Sequence, residues 1–402
     1  MYKPSTALGV ARDFRPSQPV TLVRPHAALR AARFFAQKFP GTSMYAVKAN
    51  PSPDLIRLLW EGGITHFDVA SIVEVRLVRS LLPAAVLCFM HPVKPAEAIA
   101  EAYHVHGVRT FSLDSVDEIE KIVAATSTDG IAAADLTLCV RLRVSSAYSK
   151  LSLAAKFGVG VEESAEVLMA ARQAADALGI CFHVGSQAMN PQAYGDAMAL
   201  ARAAIVAAGV TVDVIDVGGG FPSIYPGMET APIERYFDII HRAFEALPIS
   251  YSAELWCEPG RALSAEYSSI VVRVEKRRGD VLFINDGAYG ALFDAAHIDW
   301  RFPVELVRDS ASSTKDMPFS FYGPTCDDMD FMRGPFHLPA DTAAGDYIEI
   351  GMLGAYGSAM RTTFNGFVAG DTVVADDEPM ASNYAVTVPS REVVTSIREA
   401  RS

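Results

Sequence analysis

Eight short apolar or β-branched runs, most separated by helical patterns, set the strongest limit on what this chain can fold into. They read as strands at Ser43–Lys48, Thr65–Val69, Ala85–Phe89, Arg109–Leu113, Leu136–Leu142, Ile180–Val184, Val212–Val217 and Ala253–Cys257. Helical patterns follow at Pro53–Glu61, Ser71–Leu81, Pro95–Tyr103, Ser115–Ala125, Ser164–Leu178, Ala193–Ala208 and Ile233–Leu247. Ser71 is placed to cap the second of these helices. Alternation sustained over roughly 230 residues predicts a (β/α)8 barrel, with a doubly wound open sheet as the structural alternative.

After Arg261 the texture changes. Ser268–Val274, Val281–Asn285, Pro318–Tyr322, Tyr347–Ile350 and Tyr384–Val388 are strand-like and lack regular helical interleaving. They predict a second, mostly β domain. Val20–Val23 precedes the alternation and is expected to join that domain. The expected division is a barrel over residues 25–264 and a β-sandwich or β-barrel-like domain from residues 1–24 and 265–402. A chain of 402 residues, 50% of them hydrophobic, is large enough for two such cores.

Polar residues gather at or just past the strand ends. Lys48 ends the first run, Asp68 lies near the end of the second, and His91 follows the third. Asp114 follows the fourth, Arg141 nears the end of the fifth and His183 lies within the sixth. Gly218-Gly219-Gly220 follows the seventh, and Glu258-Pro259-Gly260-Arg261 the eighth. Each has a plain structural reading: Lys48 snorkelling from a strand end, His183 satisfied in a core, the glycines a tight turn, Glu258 and Arg261 a local ion pair. Barrel enzymes build their sites at the C-terminal ends of the strands, often with phosphate held after strands seven and eight. All these groups fall on that one face.

The residue types suit one cofactor chemistry. A lysine at the end of a buried strand can become an amine nucleophile. A triple glycine presents backbone N–H groups to a phosphate with no side chains in the way. It is not a GxGxxG fingerprint and stands late in the chain, which argues against a nicotinamide cofactor. A flat ring such as His183 and a carboxylate such as Glu258 complete a set that fits pyridoxal 5'-phosphate.

Charge and cysteine usage exclude other classes. The net charge of −12 argues against nucleic acid. The five cysteines show no paired spacing, which predicts a reducing, cytoplasmic setting with no disulfide framework and no metal site. The N-terminus carries no apolar h-region, and no apolar stretch reaches the ~18 residues of a membrane span.

The motifs YAVKAN at 45–50, HVGSQ at 183–187, GGGFP at 218–222, EPGR at 258–261, GPTCDDMD at 323–330 and GAYGSAMRTTFNGF at 354–367 resemble the ornithine/lysine decarboxylase family. This is the alanine-racemase-fold group of pyridoxal phosphate enzymes. The resemblance spans most of the chain in the family's order, and it implies a barrel followed by a β domain. It implies that Lys48 is the Schiff-base lysine, supported with the cofactor by Asp68 and Arg141. It implies that His183 stacks on the ring and that Ser186, Gly218, Gly219, Gly220, Arg261 and Tyr356 hold the phosphate. Glu258 would pair with the ring nitrogen. Cys326 would return a proton to Cα after carbon dioxide leaves. Asp286 and Asp327 would bind the distal amino group of a basic amino acid, and Phe364 would line the pocket. The resemblance further implies a homodimer with shared active sites, in which Cys326 and Asp327 serve the other subunit and Lys156 pairs with the partner's Asp330.

The implied reaction is decarboxylation of L-ornithine or L-lysine to putrescine or cadaverine. Diaminopimelate decarboxylase and arginine decarboxylase are alternatives of the same fold, and a catalytically inactive antizyme-inhibitor-like binding protein is an alternative of another class. Glu258 argues against an alanine racemase, which places a cation at the ring nitrogen. Asp286 and Asp327 would repel the distal carboxylate of diaminopimelate. Intact Lys48, Glu258 and Cys326 argue against the inactive binding protein. The segment Asp294–Phe302 departs from the family pattern and lies beside Asp286. The chain ends soon after the FNGF motif, as expected of a bacterial-type member.

Overall fold

A computed structural model describes residues 6–153, 155–309, 312 and 314–384. The eight expected strands close into a barrel of parallel ladders. They run Thr42–Ala46, His66–Val69, Val86–Phe89, Thr110–Leu113, Thr137–Arg141, Ala177–Cys181, Val214–Asp216 and Glu254–Cys257. The last strand pairs with the first, Trp256 facing Thr42, which removes both sheet edges. The open-sheet alternative is thereby excluded.

Local chemistry explains the helix starts. Ser71 and Ser115 each accept a hydrogen bond from the backbone N–H three residues on, opening Ile72–Leu81 and Val116–Thr126. Each cap contributes about 1 kcal/mol. Pro53 starts Pro53–Glu61, where its missing N–H costs nothing.

Two expectations need correction. The helix expected over Ser164–Leu178 ends at Ala174, and Ala177 and Leu178 belong to the sixth strand. The Asp176 and Ala177 N–H groups donate to the Leu136 carbonyl at 3.0 and 3.1 Å, so pairing with the fifth strand overrides the helical preference of Ala and Leu. His183 therefore lies in the loop beyond the strand. The first strand stops at Ala46, and Val47–Ala49 forms a 3-10 turn carrying Lys48.

The alternation pattern also passed over a helix at Pro25–Lys38 and a small antiparallel pair of strands, Ser149–Leu151 with Ser186–Ala188. Phe35 in that helix and Phe39 just past its end pack edge-on against Phe221 and Phe237.

The chain divides into two compact units. One comprises Ala32–Ser223 and Glu229–Leu263; the other comprises the described residues up to Ala31, Ile224–Met228 and those from Ser264 onward. The second unit is built on an eight-stranded sheet. Its central strand, Ser268–Arg278, pairs antiparallel with Val20–Val23, with Val281–Ile284 and with Tyr347–Ile350. Val304–Val307, Asp316–Tyr322, Phe331–Pro339 and Thr372–Val374 complete it. Val20–Val23 thus joins this sheet as expected. Its core includes Ile270, Val272, Leu282, Phe319, Phe321 and Ile348. The strand expected at Tyr384–Val388 lies, past Tyr384, outside the described residues. Among the described residues no helix is long and apolar enough to cross a membrane.

Candidate active site

In the barrel unit, the 3-10 turn after the first strand sets the Lys48 ammonium 2.6 Å from Asp68 Oδ2. Asp68 comes from the second strand, directly opposite Ala46 in the parallel register. The carboxylate is 1% exposed and the lysine side chain 41%. A lysine held at its head by a buried carboxylate, with its stem open, is located rather than snorkelling. Asn50, also buried, turns the chain away: its carbonyl accepts the Tyr45 hydroxyl at 3.0 Å and its side chain accepts the Ser52 N–H at 3.0 Å.

Gly218–Gly220 forms a loop that only glycine fits. A Cβ on Gly218 would collide with the Phe182 carbonyl, and one on Gly219 would lie 2.7 Å from the Glu258 carbonyl. Gly218 and Gly220 also adopt φ of 69° and 104°, where a side chain is strained. The loop's carbonyls are engaged: Gly218 O accepts from Glu258 N at 2.8 Å, Gly219 O from the Tyr194 hydroxyl at 2.9 Å, and Gly220 O from Ala188 N at 2.9 Å. Among the described residues, the Gly219 and Gly220 N–H groups make no hydrogen bond within the chain. Gln187 ties the neighbouring Ser186–Ala188 strand to this loop through two hydrogen bonds with the Ser223 backbone. Ser186 is buried beside them.

His183 lies beside the loop. A Cβ on Gly219 would lie 3.0 Å from its Nε2, and its Nδ1 accepts the Gly185 N–H at 3.0 Å. That bond assigns the proton to Nε2 and makes the ring neutral. Burial, then the charges of Arg141 and Lys48, hold the imidazole well below its ordinary pKa, so it stays neutral through physiological pH. Arg141 ends the fifth strand, and its charge acts on His183, Asp216 and Glu258. Glu258 and Arg261 are buried just past the eighth strand. Burial and the neighbouring Asp216 push the Glu258 carboxyl well above the usual range.

Two groups singled out in the sequence prove to be scaffolding. His91 packs edge-on against Phe157, and Asp114 accepts the Gly158 N–H at 2.8 Å. One residue of the site was passed over. Asp216 is a fully buried carboxyl two residues before Gly218, the first glycine of the loop. An acidic residue inside the apolar run Val212–Val217 was the available signal.

In the sheet unit, Cys326 is exposed, while the other four cysteines are buried. Its N–H donates to Asn365 Oδ1 at 3.0 Å, which links the GPTCD turn to the FNGF turn. Asp327 accepts hydrogen bonds from the Tyr289 hydroxyl and, at 3.0 Å, from Met329 N. The Tyr289 bond is the larger cause of its lowered pKa, so it is ionised well into the acid range. The Tyr289 ring lies 4.7 Å from that of Phe364. A cavity of about 580 Å³ opens here, lined by Phe283, Asn285, Tyr322, Cys326, Asp327 and Phe367. Tyr356 is partly buried in the left-handed region at φ 61°.

Asp286 was expected to offer its carboxylate to a substrate. It is 2% exposed, and Arg361 already occupies it at 2.7 Å with the Gly287 and Ala291 N–H groups. Its carboxylate is committed to holding its own turn. Asp330 is likewise engaged within the chain, accepting from Ala288 N, Thr325 N and the Thr325 hydroxyl at 2.7, 3.0 and 2.8 Å.

The barrel residues fit pyridoxal phosphate on geometry. The glycine cradle admits no Cβ, a lysine sits at a strand end on a buried carboxylate, and a buried carboxyl closes the eighth strand.

Comparison with known proteins agrees. Residues 26–265 match the pyridoxal binding domain, and residues 214–354 the C-terminal sheet domain, of pyridoxal-dependent decarboxylases. A lysine/ornithine decarboxylase from Selenomonas ruminantium is 32% identical, covering 83% of this chain and 84% of its own. Among solved structures, the Paramecium bursaria Chlorella virus arginine decarboxylase bound to agmatine superposes with a TM-score of 0.80 at 26% identity, over 91% of this chain and 98% of that one. The lysine/ornithine decarboxylase of Vibrio vulnificus complexed with putrescine does so with a TM-score of 0.76 at 29% identity, over 91% and 96%.

Proposed function

The chain belongs to the pyridoxal-dependent decarboxylases and acts on basic amino acids with pyridoxal phosphate as cofactor, and from that premise we propose that its substrate is L-ornithine or L-lysine. The products are then putrescine or cadaverine. The observation that carries this reading is Asp327, an ionised carboxylate beside Cys326 in one cavity.

Bound pyridoxal phosphate supplies the electron sink that takes up the bonding pair as the Cα–carboxylate bond breaks. Lys48 is the amine that secures it, and Asp68 keeps that amine at the strand end. The Gly219 and Gly220 N–H groups, with Ser186 and Arg261, would take the phosphate. His183 offers a flat neutral face to the ring, and Glu258 faces the ring nitrogen, with Arg141 balancing the buried carboxyls. The Cys326 thiol delivers a proton to Cα once carbon dioxide has left. Asp327 recognises the substrate's far end by charge-assisted hydrogen bonds to an ammonium, with Phe364 against the Tyr289 ring beside it.

Asp327→Ala tests the specificity. Removing the carboxylate is expected to raise KM for the diamino acid about tenfold or more and to narrow its kcat/KM advantage over norleucine. An unchanged KM would contradict the assignment. The lowered pKa of Asp327 gives this recognition a pH sign: it persists from neutral pH into the acid range and is lost as pH falls through the depressed value.

The exposed Cys326 and the half-buried Asp327 complete, in our reading, the site of a second copy of the chain. Mixed and reshuffled Lys48→Ala and Cys326→Ala proteins, each inactive alone, are then expected to recover activity in about a quarter of the sites of a twofold dimer. No recovery, with subunit exchange confirmed by mass, would mean that each copy builds its own site.

A further inference from the structure

Asp216 ends the seventh barrel strand and is 0% exposed. Its Oδ1 accepts the Gly218 N–H at 2.8 Å, while Gly218 O accepts the Glu258 N–H at 2.8 Å. The two acidic residues therefore bracket one residue of the glycine loop, Gly218. Oδ2 of Asp216 and Oε1 of Glu258 are both buried, and neither meets a protein N–H or O–H donor. Burial raises the Asp216 carboxyl, and a side-chain hydrogen bond with Glu258 opposes that rise. Ionised carboxylates only accept, so such a bond needs a proton on one of them. One proton accounts for both unsatisfied oxygens.

We propose that Asp216 and Glu258 hold one proton in common, and that Asp216 is a positioning residue which fixes the Glu258 carboxyl and, through the negative charge of the pair, favours a protonated ring nitrogen in the cofactor. This rests on the reading above that Glu258 faces that nitrogen.

The surroundings favour one proton over none or two. Burial drives both groups toward the protonated form: Asp216 is pushed up to about 6, and Glu258, repelled also by Asp216, well above the carboxylate range. Asp68 adds to the repulsion of both, whereas Arg141 opposes it for both and Lys48 for Glu258. Four thiols sense the pair, Cys88, Cys139, Cys181 and Cys257, and burial keeps all of them neutral. At neutral pH the pair therefore carries one proton and one negative charge. As coupled groups, the two titrate as a unit. The negative charge on Asp216, behind Glu258, raises the pH at which the ring nitrogen gives up its proton.

The test uses the full chain loaded with pyridoxal phosphate carrying ¹⁵N in the ring, followed by NMR across pH. Asp216→Asn retains an oxygen for the Gly218 N–H but removes a charge and an acid. The ring titration is expected to move down by about one pH unit or more, with the ³¹P resonance of the phosphate unchanged. A wild-type ring titration in this variant, with the cofactor bound, would reduce Asp216 to a loop cap and overturn the proposal. If Glu258→Gln also leaves the ring titration unmoved, the placement of Glu258 at the ring fails as well, which separates the two failures. Should Asp216→Asn not fold, infrared spectra of the cofactor-free wild type at neutral pH decide the matter. A buried carboxylic acid C=O band, lost in Glu258→Gln, supports the shared proton, and no such band in the wild type refutes it.

Discussion

Lys48→Ala is expected to abolish carbon dioxide release, lowering kcat by roughly three orders of magnitude or more. In the proposed mechanism the lysine is the amine that secures the cofactor, and no other lysine meets the buried Asp68 carboxylate among the described residues. The chain should still fold, because Lys48 lies in a turn past the strand end and its side chain is 41% exposed. Borohydride reduction separates the loss of attachment from a general defect. In the wild type it should fix pyridoxal phosphate to the peptide containing Lys48; in the variant nothing should be fixed. Turnover near the wild-type rate, or cofactor fixed at a different lysine, would place the attachment elsewhere.

Glu258→Gln should have the second largest effect, slowing decarboxylation by about two to four orders of magnitude. In the proposed arrangement the amide takes the carboxyl of the Asp216–Glu258 pair away from the ring nitrogen and weakens the electron sink. The proposed phosphate contacts lie elsewhere, at Gly219, Gly220 and Ser186, so the cofactor should survive dialysis at nearly wild-type occupancy. The backbone bond from Glu258 N to Gly218 O does not depend on the side chain, which protects the loop in the variant. Wild-type turnover with full occupancy would remove Glu258 from the chemistry.

Much of the barrel was legible because its signals are local. Ser71 and Ser115 mark their helices by a hydroxyl three residues before a capped N–H, and the glycine run marks a loop where no Cβ fits. What could not be read depends on distant partners. The sixth strand begins at Ala177 because the Leu136 carbonyl is there to receive it, and Ala-Leu alone reads as helix. The helix Pro25–Lys38 hides because much of its apolar face is alanine, with Ala27, Ala28, Ala31 and Ala32 all buried.

The site divides in the same way. Lys48, Gly218–Gly220 and Glu258 could be named from their places at strand ends. Asp286 could not be told from a free carboxylate, because its partner Arg361 is 75 residues away in the sequence. Asp216 was overlooked for the opposite reason. It stands inside an apolar run whose strand character masked the meaning of a carboxyl with no cation beside it in sequence.

Release of carbon dioxide from L-ornithine, L-lysine, L-arginine, norleucine and meso-diaminopimelate, measured with the purified chain and pyridoxal phosphate, tests the whole account most directly. The account predicts release from L-ornithine or L-lysine, with putrescine or cadaverine as the co-product, and none from norleucine, which lacks the distal charge that Asp327 binds. Release from meso-diaminopimelate or from arginine alone, or from norleucine as readily as from lysine, would contradict it.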